Sequence, residues 1–255
     1  MVRLPAQTQV GPHVKIHTHF LRVLHKWLGL IIGIQFLLWT LSGTAMALID
    51  MEEVSGGPRR DPPQIRPVTR DAWPTVQKQL AGTPVNGLVL RPLLERPTYQ
   101  VTTPDGIRLF DAETAEVVRV DEGLARRIAA QAYAGGGPIR SVKPLQELTL
   151  AVREHELPIW RIDFADKQNS SFYVSGSTGA LLERRNDSWR LWDFFWMLHN
   201  MDYANRTSFN HPLIITVGFA AVWLAISGLY LLFRTGWKSD FKRRKPKRLA
   251  GKVVG

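Results

Sequence analysis

The chain has 255 residues, 45% of them hydrophobic, with 33 Lys and Arg against 22 Asp and Glu and a formal net charge of +11. It contains no cysteine, which excludes disulfide cross-links, thiolate-bound metals and iron–sulfur clusters. The excess charge lies at the two ends: four net positive charges precede Trp27 and eight follow Phe233, which leaves the central residues at −1. No basic patch is therefore expected in the centre, and nucleic acid is not expected as a partner.

Residues 1–19 form a basic tail carrying His13, His17 and His19, read as solvated. Residues 20–49 are predicted to be a first transmembrane helix: from Trp27 to Ile49 the strongly polar side chain is Gln35 alone, enough apolar length for a hydrocarbon core. Ala45-Met46-Ala47 resembles a cleavage site, but the apolar stretch is longer than a signal-peptide core, so an uncleaved anchor is expected.

Residues 50–187 read as a folded domain. It opens with "EEVSGGPRRDPPQIRPVTR", rich in Pro, Gly and charge and read as a linker. "DAWPTVQKQLAG" predicts a short helix ended by Gly82. An internal repeat follows, "PTYQV...DAETAEVV" from Pro97 and "PIWRI...SGSTGALL" from Pro158. In both copies alternating apolar residues (Tyr99, Val101; Trp160, Ile162) predict half-buried strands, with "PDG" and "DKQNS" as hairpin turns. "DEGLARRIAAQAYAG" between them predicts an amphipathic helix. The domain is thus expected to be two helix-plus-antiparallel-sheet units.

Residues 188–210 predict an interfacial aromatic helix and a polar loop. Ser188 is the expected cap of "SWRLWDFFWMLHNMDY", with Trp192, Phe195, Trp196 and His199 on one side. Residues 211–233 predict a second transmembrane helix, uncharged from Pro212 to Phe233, and 234–255 form a basic tail. Positive flanks place both ends in the cytoplasm and the central domain outside it. The expected fold class is an α+β membrane protein, two transmembrane helices flanking a periplasmic domain.

Along the first span, residues His25, Gly29, Gly33, Phe36, Thr40, Gly43 and Ala47 are expected to share a smooth face; on the second, His211, Gly218, Ala221, Ala225 and Gly228 fall close to one side. Small residues in such places serve either helix-on-helix packing or the close approach of a flat cofactor. His25 suits either an interfacial side chain or a metal ligand, His199 either an aromatic surface anchor or a ligand, and His211 either a helix start or a ligand. His155, in "REHELP", reads as a surface residue.

The helix, strand hairpin and "TG-x-LL" turn resemble PepSY domains, with Ala115 standing in the first copy where glycine is expected. "HKWLGL", "WMLHNMDY" and "SGLYLLFR" resemble the PepSY-associated transmembrane family of bacterial inner-membrane proteins, over about residues 20 to 235. That family's relatives include four-helix, haem-containing reductases acting on ferric siderophores in the periplasm. The resemblance implies haem b, transmembrane electron transfer and, if the chain is an enzyme, a ferric reductase. His25 and His199 are the implied axial ligands to iron, with His211 and Gly29 also at the cofactor. A span of about 20 residues is roughly 30 Å long. His25 therefore cannot share an iron with His199 or His211, and one haem per membrane face is expected. His199 and His211 can then serve the outer haem, while His25 needs a ligand from another subunit, in a homo- or hetero-oligomeric four-helix core. No glycine-rich flavin or nicotinamide fingerprint is present, so the electron donor is external and unidentified. The competing classes are a non-enzymatic membrane-anchored module that binds a partner protein, and an accessory subunit of a larger redox complex.

Overall fold

The computed structural model describes residues 18–61, 64–204, 206, 208 and 210–236. His13, His17 and most of the basic C-terminal tail lie outside them. The chain divides into two compact units, one of residues up to Leu41 together with those from Ser208 onward, the other Ser42–Thr207.

Thirty-one residues without an acid in the first turn or a base in the last form one unbroken helix, α1 (Thr18–Leu48). After it come α2 (Met51–Val54), α3 (Trp73–Gln79), β1 (Gly87–Leu93), β2 (Arg96–Thr103), β3 (Gly106–Asp111), β4 (Val117–Val118) and α4 (Glu122–Ala132). Then follow β5 (Ile139–Pro144), β6 (Ile159–Phe164), β7 (Ser171–Ser175), β8 (Leu181–Arg185), α5 (Asp187–Asn200) and α6 (Pro212–Leu231). Pro212 begins α6, where its missing N–H costs nothing.

In the first unit, α1 and α6 are long and apolar enough to cross a membrane. Only 11% of each apolar window is buried, unlike a core helix of a soluble protein. On α1 the residues turned in include Leu21, His25, Leu28, Ile32, Gln35 and Trp39, in alternating steps of four and three, with Leu24, Gly29 and Leu38 beside them. On α6 they include Ile214, Val217, Ala221, Leu224, Gly228 and Leu231, in the same rhythm, with Gly218, Trp223 and Ser227 beside them. This is the spacing that keeps a seam facing a partner helix. Gly33, Phe36, Thr40 and Ala47 face outward instead. The expected residues do share a side, but at about 100° per residue that side is turned by roughly 80° from the packed one, so His25, Gly29 and Gly43 fall at the shared edge and the rest face outward.

The second unit contains two antiparallel four-stranded sheets, β1-β2-β3-β4 and β5-β6-β7-β8, each in sequence order. Each is preceded by a helix, so the fold is mixed α+β with the repeat read from the sequence. Val76 and Leu80 pack with Tyr99, Val101 and Phe110 beneath α3. Helix α4, capped by the Asp121 carboxylate accepting from Leu124 N–H, packs Leu124, Ala125 and Ile128 against both sheets. Leu93 and Leu109 come from the first sheet, and Ile162, Phe164, Phe172 and Val174 from the second. The Trp160 indole N–H donates to the Val120 carbonyl at 2.9 Å and ties the second sheet to the entry of α4.

Equivalent turns close β3 and β7. Ala115 N–H donates to Asp111 O (3.0 Å) and Gly179 N–H to Ser175 O (2.8 Å). Ala115 has φ 61° and Gly179 φ 69°, so an alanine in the first copy takes the same left-handed conformation that glycine takes in the second.

Two expectations are corrected. Residues 50–61 are not a free linker: Asp50 caps α2 through Glu52 N–H, Asn186 Nδ2 donates to Glu53 O at 2.7 Å, and Arg184 Nη1 donates to Gly57 O at 2.8 Å. A Pro/Gly-rich segment forms few regular elements, but its open carbonyls accept side-chain donors. Helix α5 is capped by Asn186, whose Oδ1 accepts from Trp189 N–H at 2.8 Å. Ser188 lies inside the helix and donates to Gln168.

Gly179→Ala should lower stability by about 1–2 kcal/mol, because it puts an L side chain at positive φ and sets a Cβ 2.7 Å from Leu93 Cδ1. Chemical denaturation in detergent reads the loss. Ala115→Gly should change stability by less than about 1 kcal/mol, since relief of the left-handed conformation is offset by greater chain entropy in the unfolded state.

Candidate functional site

In the first unit the His25 ring lies against α6. Its Nδ1 is 2.8 Å from Ser227 Oγ, and the Trp223 ring centroid is 6.4 Å from its own. A Cβ built on Gly228 would stand 3.2 Å from His25 Cε1 and 3.7 Å from Nε2. Any side chain there would push the imidazole away. Ser227 is itself buried and donates to Leu224 O at 3.1 Å, as serine hydroxyls do in apolar helices. A hydroxyl has one proton. When that proton goes to the Leu224 carbonyl, Ser227 Oγ is left to accept from His25 Nδ1–H, the tautomer that keeps the lone pair on Nε2.

In the second unit His199, near the end of α5, meets the last turns of α1. Its Nδ1 is 3.2 Å from Ser42 Oγ, and a Cβ on Gly43 would stand 3.3 Å from its Cε1. The two seats are built alike: a Ser-Gly step on an apolar helix gives one ring nitrogen a hydroxyl and gives the ring edge a surface without Cβ. Helix α5 is held by Asp193, which is buried and paired with Arg206 at 2.8 Å and Arg153 at 3.5 Å. The Arg153 guanidinium also lies 5.7 Å from the Trp196 ring centroid, and Met201 ends the helix with φ 56°.

The other residues singled out from the sequence fall elsewhere. His211 is the N-cap residue of α6 and makes no side-chain capping bond. Ser227 follows it by 16 residues, about 24 Å of helical rise, so the structure separates His25 from His211. Gly29 packs toward Leu224 Cδ2, 4.0 Å from its would-be Cβ. Gly33 and Gly218 would meet nothing within 4 Å. His155 stands 3.0 Å from the Glu183 carboxylate in the second unit.

Sequence reading missed Ser42 and Ser227 as partners of the histidines. The signal was present in the paired "LSG" and "ISG" of the two spans.

Among the described residues no three His, Cys, Asp or Glu side chains gather as a cage for a bare metal ion. Iron in a porphyrin asks less of the protein, one or two axial imidazoles, each with its far nitrogen hydrogen-bonded. His25 meets that description, and the Ser42 hydroxyl gives His199 the same kind of support. The donor set fits haem.

Two apolar spans joined to an α+β body define a membrane-anchored protein. The family model described as the PepSY-associated TM region matches residues 22–252, and the chain belongs to that family. No curated protein and no solved structure matches it.

The tautomer of His25 is testable. Nitrogen NMR of histidine-labelled protein should show His25 protonated at Nδ1. Ser227→Ala should move the proton toward Nε2, and Gly228→Val should displace the ring by adding the excluded side chain. An unchanged His25 signal in both variants would show that this seat does not hold the ring.

Proposed function

We propose that this protein is a haem-binding electron-transfer protein of the bacterial inner membrane, passing electrons to a periplasmic acceptor such as a ferric siderophore. The observation that carries the reading is the twice-used histidine seat, with Nδ1 on a serine and the ring edge on a glycine. Haem b held there would supply one-electron carriage through its iron. His25 and His199 are the proposed axial ligands. Ser227 fixes the proton of His25 on Nδ1, so that Nε2 is the free donor, and Gly228 leaves the ring room to keep that orientation.

The surroundings need completion by other helices. Leu30, Ile31, Ile34 and Leu37 of α1 and Phe219, Val222 and Ile226 of α6 are all more than half exposed. Gly33 and Gly218 add open backbone surface to the same helices. These features suit an oligomer, homo- or heteromeric, in which neighbouring helices exclude water and supply any further ligand.

Topology follows from charge. The contact of His25 with Ser227 and Gly228 puts the Arg22 and Lys26 end of α1 beside the Arg234 end of α6, and a shared basic end suits the cytoplasmic side. The 42–207 unit is then periplasmic. A reporter fused after Gly255 should report cytoplasm and one inserted at Gly136 periplasm; both on one side would overturn the arrangement.

Dithionite-reduced minus oxidised spectra, with haem-to-protein stoichiometry, test the haem reading. His25→Ala and His199→Ala should each remove part of the haem signal, and His155→Ala, a ring held by Glu183, should leave it intact. If both membrane-associated variants keep full haem, the histidines serve packing alone. The chain would then be an anchor for a partner-binding module or an accessory subunit, a reading that the packing of Gly29 on Leu224 also suits.

A further inference from the structure

The near-zero charge of the central residues conceals a cluster of arginines, against the expectation that no basic patch lies there. Arg91 stands on β1 opposite Thr98, on the sheet face that presents Leu93 to α4. Its Nε and Nη2 are closed to solvent and have no hydrogen-bond acceptor. Burial alone draws this guanidinium below its usual range, with no neighbouring charge contributing.

Arg91 forms part of the wall of a cleft of about 350 Å³ between the first hairpin, α4 and the Gly179 turn, within the size range of small-molecule sites. Arg59 and Arg60 line the same cleft, and the carboxylate among its lining residues is Asp61 alone. Their backbones are fixed on the end of α4: Arg59 bridges Tyr133, and Arg60 N–H donates to Ala132 O at 3.3 Å. The Arg184 guanidinium is lowered first by burial and then by the charge of Arg59, so positive charge is concentrated on this side. Leu94, at the hairpin tip in the cleft wall, is held at φ 56°, a conformation bulky residues rarely adopt.

A buried guanidinium without an acceptor is destabilising, because it has lost water and gained no counter-charge. The two unsatisfied donors are adjacent. Nε–H and Nη2–H lie along one edge of the guanidinium plane, spaced to take two oxygens of one carboxylate or phosphate. We propose that this cleft binds a small polyanion through a carboxylate or phosphate group, which takes the Arg91 edge while Arg59 and Arg60 balance the remaining charge. Binding requires the Arg91 side chain to turn so that this edge, closed to solvent in the ligand-free protein, meets the cleft, where Leu93, Leu94 and Ile128 give an apolar wall for the carbon skeleton of an organic anion.

The test is thermal unfolding of the full chain in detergent without acidic lipid, titrated with citrate, inorganic phosphate or chloride at matched ionic strength. Citrate or phosphate should raise Tm saturably and chloride should not; the stronger of the two identifies the group recognised. Arg91→Met should raise the Tm of the ligand-free protein, since it replaces an unpaired buried charge by an apolar chain, and should abolish the anion response. Arg59→Ala with Arg60→Ala, both at the cleft rim, should leave the ligand-free Tm near wild type and weaken the response severalfold, which tests the site even if the Arg91 variant fails to fold. The proposal is overturned if neither anion exceeds chloride, if the double variant responds as wild type, or if a folded Arg91→Met keeps the response or melts below wild type.

Discussion

A polar ring against an apolar helix must find a hydrogen bond, because hydrocarbon offers none and an unsatisfied group there costs several kcal/mol. Ser227 meets that requirement for His25, and Ser42 for His199. The glycine that follows each serine is the second half of the constraint, since a Cβ at either position would crowd the ring. Helix α1 takes part in both seats, offering its own histidine near one end and a Ser-Gly step near the other. Its sequence must therefore satisfy lipid, α6 and α5 at different turns. That accounts for the placement of His25 toward α6 and of Ser42 toward α5, while the outward-facing Thr40 satisfies its hydroxyl on its own helix, at the Phe36 carbonyl.

The seat of His199 depends on how α5 is held. Asn186 both caps α5 and grips the Glu53 carbonyl, so one side chain fixes the start of the helix and the segment leaving α1. Further along, Asp193 lies between Arg153 and Arg206. A buried carboxylate flanked by two guanidinium groups is well compensated, and its charge would be left unpaired only if both were lost. The second sheet, through Arg184 on Gly57 and Trp189 in the cluster with Val152 and Tyr173, adds contacts that position the aromatic helix. The folded body is thus part of the histidine site.

The spans were legible because membrane length and lack of charge are properties of contiguous residues. The repeat was legible too, down to the anomaly at Ala115, because a hairpin and its closing turn are local. The face of α1 was misjudged at Gly33 and Phe36, because periodicity shows which residues share a side of a helix but not which side meets a neighbour, and the packed side is turned by roughly 80° from the one expected. The seats escaped sequence reading for a different reason. His25 and Ser227 are 202 residues apart, and His199 and Ser42 are 157 apart; nothing local says which serine meets which ring. Ser188 was taken for the cap of α5 when Asn186 two residues earlier serves, an ambiguity that composition cannot resolve between two good capping residues.

Charge shows the same divide between sum and placement. Net charge governs long-range behaviour, and the basic ends of this chain bear on orientation in a bilayer through their totals. Binding is decided over a few ångströms, because interactions between charges fade within about 10 Å in ordinary salt. The carboxylates elsewhere in the central residues cannot cancel Arg91 unless they stand beside it. Asp163 and Asp193 are already engaged by Arg161 and by Arg153 and Arg206. A domain whose charges nearly balance overall can therefore hold an uncompensated guanidinium, and the sign of its local field is set by which arginines have already found a partner.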